Sequence, residues 1–71
     1  MQKIKIKTEK IQLDQFLKWA NLVISGGEAK KLIQNGNIYV NGEKETRRSH
    51  KIKDGDVVKI NGFDDEYQVR H

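Results

Sequence analysis

Ser25-Gly26-Gly27-Glu28-Ala29-Lys30-Lys31-Leu32-Ile33-Gln34-Asn35-Gly36-Asn37-Ile38-Tyr39-Val40-Asn41-Gly42 is the stretch that decides the fold. Ser25 and Glu28 have the S-x-x-E spacing of a capping box, in which the two side chains satisfy amides that a new helix leaves open. Ala29, Leu32 and Ile33 then share one helical stripe, which predicts that they are buried while Lys30, Lys31 and Gln34 face solvent. Gly36 after Asn35 is a natural left-handed stop. Past it the apolar period changes from helical to alternating, with Ile38 and Val40 on one side of a strand and Tyr39 on the other. Asn41-Gly42 ends that strand with a strong tight-turn signal.

Toward the amino terminus, Leu13, Phe16, Leu17 and Ala20 fall at i, i+3, i+4 and i+7. This is one apolar face of a short helix over residues 13–20. Asp14 stands in its first turn, where the helix dipole favours negative charge. Phe16 belongs to the core, Lys18 points away from it, and Trp19 is expected to pack at its edge. Residues 3–7 alternate Lys and Ile, a strand with Ile4 and Ile6 inward and lysines outward. Lysines on such a strand guard a sheet edge against pairing with other chains.

Toward the carboxyl terminus, residues 43–53 are polar and basic with no clear period. Asp54-Gly55 signals a turn, Val57 to Ile60 a strand, Asn61-Gly62 another turn, and Tyr67 and Val69 a last strand. Two short helices and several short strands make a small α+β domain, and residues 1–71 read as one folded unit.

At 71 residues such a domain buries only about 60% of its unfolded surface, leaving a thin core and little room for a deep catalytic pocket. The absence of Cys excludes disulfides and thiolate metal sites, and His50 and His71 alone cannot make a usual zinc site. Ser25, His50 and Asp14 are the residue types of a catalytic triad, but no nucleophile elbow surrounds them. There is no phosphate-cradling P-loop and no recognisable acid/base pair of carboxylates. A protein that is not an enzyme and has no cofactor is therefore expected. The charged start is not a signal peptide. The longest aliphatic run, Leu22-Val23-Ile24, is far short of a membrane span, so a cytoplasmic protein is expected.

The net charge is +4, unevenly spread. Residues 1–53 hold twelve Lys/Arg and five Asp/Glu, whereas residues 54–71 hold two and five. Concentrated positive charge of this kind favours a polyanionic partner. The acidic run Asp64-Asp65-Glu66 is expected to be a solvated turn.

Leu13-Asp14-Gln15-Phe16-Leu17, Ser25 to Ile33, Asn35-Gly36, Ile38, Val40-Asn41-Gly42 and Gly55-Asp56, in that order and spacing, resemble the S4 RNA-binding domain. The resemblance spans about residues 11–60. Phe16-Leu17-Lys18, Gly26 to Lys30 and Arg47-Arg48 are similar to a subgroup of small stand-alone bacterial S4-like proteins. The resemblance implies two short helices packed on a small, bent, mostly antiparallel sheet. It also implies binding of structured RNA, ribosomal in the first instance, across the helix pair and the adjoining basic loop. Two positions depart from the family: Gln12 and Gly26 stand where many S4 domains have arginine. Lys30 stands in the place of a later family arginine and keeps its charge.

Neutralising phosphates is the first source of RNA affinity. The expected contacts are Lys18, Lys30 and Lys31 from the helices and Lys44, Arg47, Arg48 and Lys51 from the loop region. Arg47 and Arg48 lead, because a planar guanidinium grips phosphate with two bonds and a paired arginine in a loop has no evident folding role. Lys30 and Lys31, adjacent on a helix, point about 100° apart. Tyr39 is the aromatic best placed to stack on an unpaired base. Gly26-Gly27 is read first as a tight connection between helices and second as a phosphate-approachable helix start. Few exposed aromatics favour recognition of shape and backbone over base sequence.

Other classes are weaker. Val40 to Glu43 with Asp54 to Val58 also looks like part of a ubiquitin-like sulphur carrier, but the chain ends Gln68-Val69-Arg70-His71 and lacks the Gly-Gly tail which that chemistry needs. A protein–protein adaptor, or a targeting module for a separate RNA-modifying enzyme, would use the same basic surface differently. No long exposed apolar stripe calls for a dimer, so a monomer is expected.

Overall fold

A computed structural model describes residues 1–71. Its elements run β1 (Gln2–Lys5), β2 (Lys10–Gln12), α1 (Leu13–Trp19), α2 (Gly26–Gln34), β3 (Ile38–Val40), β4 (Glu43–Lys44), β5 (Lys51–Lys53), β6 (Val57–Ile60) and β7 (Glu66–Arg70). The main sheet has the order β1-β7-β6-β3-β4. All its pairs are antiparallel except β1 with β7, which is parallel. A separate antiparallel ribbon joins β2 to β5.

One cluster of buried residues unites the layers. Leu13, Phe16 and Leu17 from α1 and Ala29 and Ile33 from α2 meet Ile38, Val40, Val58, Ile60, Tyr67 and Val69 from the sheet. Because strand side chains alternate, the helix pair covers one face of the sheet and leaves Tyr39 and Lys59 on the other. Leu32, expected in the buried stripe of α2, is only partly buried.

The two helices start differently. Ser25 Oγ accepts from the Glu28 amide at 3.2 Å, the cap that the S-x-x-E spacing predicts. Gln12, which precedes α1, provides no side-chain cap. There the chain supplies carbonyls instead: the Leu13 amide donates to His50 O at 2.8 Å and the Asp14 amide to Arg48 O at 3.2 Å. The 47–50 loop is thereby fixed to the start of α1.

The 43–53 stretch is more ordered than its missing period implied. Asn41 and Gly42 both have positive φ, 52° and 84°, and close a two-residue hairpin between β3 and β4. That conformation matches the right-handed twist of the strands and suits Asn-Gly. Lys51-Ile52-Lys53 alternates like a strand and buries Ile52 against the core. The first strand is shorter than its 3–7 alternation predicts and ends at Lys5, although the Ile6 amide still donates to Arg70 O at 2.7 Å. It lies at the sheet edge, where its lysines guard against further pairing.

The helix connection turns on Asn21, whose φ is 59°. Neither Gly26 nor Gly27 has positive φ, and a Cβ at Gly26 would meet nothing, so the expected steric need for this pair is not met. The acidic turn is not wholly solvated either, because Asp65 holds the Met1 amino group at 3.0 Å.

Candidate nucleic-acid interface

Arg48 and Lys51 gather at the start of α1. The Arg48 carbonyl is bonded to Asp14, and Lys51 lies opposite Gln12 in the ribbon. Arg48 has no carboxylate partner and is exposed. The same ribbon places Lys10 directly opposite Lys53. Its solvent face therefore carries Lys10, Gln12, Lys51 and Lys53, while Ile11 and Ile52 form its inner face.

Arg47 behaves differently from its neighbour. Its Nε donates to Glu45 Oε2 at 3.0 Å and one terminal nitrogen donates to Glu45 Oε1 at 3.1 Å. Its backbone amide also donates to Glu45 Oε2 at 3.0 Å, and His50 Nδ1 lies 3.4 Å from Glu45 Oε1. The Glu45 side chain is 12% exposed, and its bonds to Arg47 hold its carboxyl down to about 2. The expectation that the arginine pair has no folding role is therefore wrong for Arg47. It organises a loop hub, although its own side chain remains 72% exposed.

The remaining expected contacts divide between two faces. Lys18 lies on α1 beside Trp19, and Lys30 and Lys31 are exposed on α2, which packs against α1. Tyr39 lies on the sheet face turned away from the helices. There the strand register lines up Lys44, Tyr39, Lys59 and Glu66. Lys44 Nζ stands 6.0 Å from the Tyr39 ring centre, and its stem lies over Gly36. Tyr39 and Lys44 thus stand together on one face, the backbone of Arg48 and of Lys51 is anchored near the start of α1, and Lys18, Lys30 and Lys31 are carried by the packed helix pair.

Lys10 and Lys53, which are not among the expected contacts, become neighbours only when the ribbon forms. The alternation of Lys10-Ile11-Gln12 and Lys51-Ile52-Lys53 was the signal available for it. Trp19, expected at the edge of the core, is 47% exposed. No group of three or more His, Cys, Asp or Glu side chains could hold a metal, and no helix is long and apolar enough to cross a membrane.

Residues 4–70 match a family model described as the S4 domain. A Bacillus subtilis (strain 168) protein named "Probable ribosome maturation protein RlbA" is 48% identical over 60 residues, covering 84% of each chain. An Aquifex aeolicus (strain VF5) protein named "Uncharacterized RNA pseudouridine synthase" is 39% identical over 54 residues, which are 76% of this chain but 17% of that one. Among solved structures, trimeric Vibrio cholerae Heat Shock Protein 15 aligns with a TM-score of 0.70 at 22% identity. The alignment covers 82% of this chain and 58% of that chain. The 30S ribosomal protein S4e from Thermoplasma acidophilum aligns with a TM-score of 0.63 at 23% identity, over 87% of this chain and 32% of that one. These two likenesses concern the fold, and they agree with the α+β arrangement of a helix pair on a mostly antiparallel sheet.

Proposed function

The chain belongs to the S4 domain family, and from that premise we propose that it is a non-catalytic, monomeric cytoplasmic protein that binds structured RNA, ribosomal RNA in particular. One observation carries the reading. Of fourteen Lys and Arg side chains, only Arg47 and Arg70 pair with a carboxylate. The other twelve are free to meet a partner, and the net charge of +4, with its positive excess in residues 1–53, gives them a field that attracts a polyanion such as a phosphate backbone. The name of the 48% identical relative, which refers to ribosome maturation, points to the ribosome as the place of binding.

The contact surface in this reading comprises Lys18, Lys30 and Lys31 on the helices with Arg48 and Lys51 at the start of α1. Arg47 shapes the loop that presents Arg48, and its exposed guanidinium edge lies at the rim of this surface. Tyr39 and Lys44 lie on the other sheet face and serve a second, smaller contact.

Crosslinking in cells of the native source, followed by sequencing of attached RNA, tests this reading. Enrichment of one folded ribosomal RNA region is expected. Protein partners that persist after nuclease, with no crosslinked RNA, would instead make the basic surface a protein-docking face. The match to a small part of a pseudouridine synthase supports a second reading, a targeting module for a separate RNA-modifying enzyme. That reading expects such an enzyme to co-purify in an RNA-dependent manner.

A further inference from the structure

Trp19 ends α1 with its ring half in solvent, 47% exposed, although a lone tryptophan in a small domain would ordinarily bury most of its surface. The ring is held in place. Its Nε1–H donates to the Lys5 carbonyl at the end of β1, at 2.7 Å, and Lys7 Nζ stands 5.6 Å from its centre. The polar edge of the indole is thus satisfied by the protein, while aromatic surface stays accessible.

Three clefts open onto this ring. One, of about 490 Å³, is lined by Lys5, Lys7 and His71 among others; a second, of about 460 Å³, by Gln15 and Lys18; a third, of about 310 Å³, by Lys7 and Lys10. No Asp or Glu lines any of them, and none of the four lysines has a carboxylate partner. An aromatic platform fixed by a hydrogen bond and ringed by unpaired ammonium groups suits a planar base joined to phosphates. A purely structural tryptophan needs the bond to Lys5 but not the four lysines around it.

We propose that Trp19 is a stacking platform for an unpaired RNA base, with Lys5, Lys7, Lys10 and Lys18 placed for the flanking phosphates. This rests on the RNA-binding reading and deepens it, because an unpaired base beside a helix would distinguish a bulged RNA from a regular duplex. The edge strand β1 and the end of α1 then form a contact region beyond the helix pair and loop.

Trp19 is the only tryptophan in the chain, so its emission reports on the site without any substitution. The probes are an end-labelled RNA duplex and the same duplex with one unpaired adenine, each titrated with the intact protein. Anisotropy of the label follows binding, and tryptophan emission follows stacking. Expected are quenching by the bulged RNA alone and a preference for it of about tenfold, in keeping with the cost of removing one base–aromatic stack. Trp19→Leu should abolish that preference, bringing the affinity for the bulged RNA down to that for the regular duplex. Binding of both RNAs with equal affinity and unaltered emission would overturn the platform and leave the RNA-binding reading standing. Binding of neither would overturn both.

Discussion

Asn41 and Asp56 are 15 residues apart in the chain, yet Asn41 Nδ2 donates to Asp56 Oδ1 at 3.0 Å. The clasp is reinforced on both sides. Asn41 Oδ1 accepts from the Val57 amide and Asp56 Oδ2 from the Lys53 amide, each at 2.9 Å. The β3–β4 turn is thereby tied to the turn between β5 and β6. Two short motifs that are common when taken separately form one structural unit.

Removing either half of the clasp should destabilise the fold. Asn41→Gly keeps the positive φ accessible and deletes the side-chain bonds, at a cost of about 1 kcal/mol. Asn41→Ala adds backbone strain and should cost about 2 kcal/mol. Urea unfolding of Asn41→Gly, Asp56→Ala and the double variant closes a thermodynamic cycle, with an expected coupling of at least about 0.5 kcal/mol. Strict additivity would show that the two side chains act independently.

Acid should loosen the loop hub. The Glu45 carboxyl ordinarily titrates near 4.5 and is lowered to about 2 in the fold, chiefly by hydrogen bonds from the Arg47 side chain. A lowered carboxylate contributes stability fully above its unfolded value and loses it as pH falls through the folded one. The contribution should therefore be constant above about pH 5 and fade between about pH 4.5 and 2. Thermal unfolding of the native protein and of Glu45→Gln across that range checks it. The native protein should melt higher at neutral pH, and the difference should close in acid. A constant difference would remove Glu45 ionisation as its cause.

The helices were legible because their apolar residues repeat with the helical period and Ser25 caps its own helix within three residues. The turn after β3 was legible from Asn41-Gly42, but the two-residue return strand β4 was not, because Glu43-Lys44 is too short and polar to show a period. The ribbon of β2 and β5 was not, because each strand has three residues and they meet across 38 intervening ones. For the candidate site, composition revealed the charge but not its neutralisation. Nothing in the sequence distinguished Arg47, held by Glu45, from Arg48, which is free. The position of Trp19 on the helix flank fits core edge and surface alike, and its bond to Lys5 at the end of β1 joins residues too far apart in the chain for spacing to reveal.

The two adjacent arginines should therefore respond differently to substitution. Arg48→Ala preserves the carbonyl that caps Asp14 and should leave stability unchanged. If Arg48 grips phosphate, RNA affinity falls, and the slope of log affinity against log salt flattens by about 0.7 to 0.9. Arg47→Ala releases Glu45 and should lower the melting temperature as well. Anisotropy titrations from about 50 to 200 mM salt, paired with melting curves, separate the effects. An unchanged slope in Arg48→Ala would remove that side chain from the interface.

Lys10 and Lys53 face each other directly in the ribbon, and like charges so placed oppose folding. A protein selected only for stability would not favour this pair, whereas a bound phosphate between the two ammonium groups would offset their repulsion. Lys53→Glu turns the repulsion into attraction and should stabilise the free protein by about 0.5 kcal/mol, raising its melting temperature by a few degrees. The same change should weaken RNA binding and flatten its salt dependence, since one cation is lost and an anion stands in its place. Greater stability with weaker binding would mean that the ribbon gives up stability for a charged contact. Greater stability with unchanged binding would make the pair an uncompensated surface repulsion and remove Lys53 from the interface.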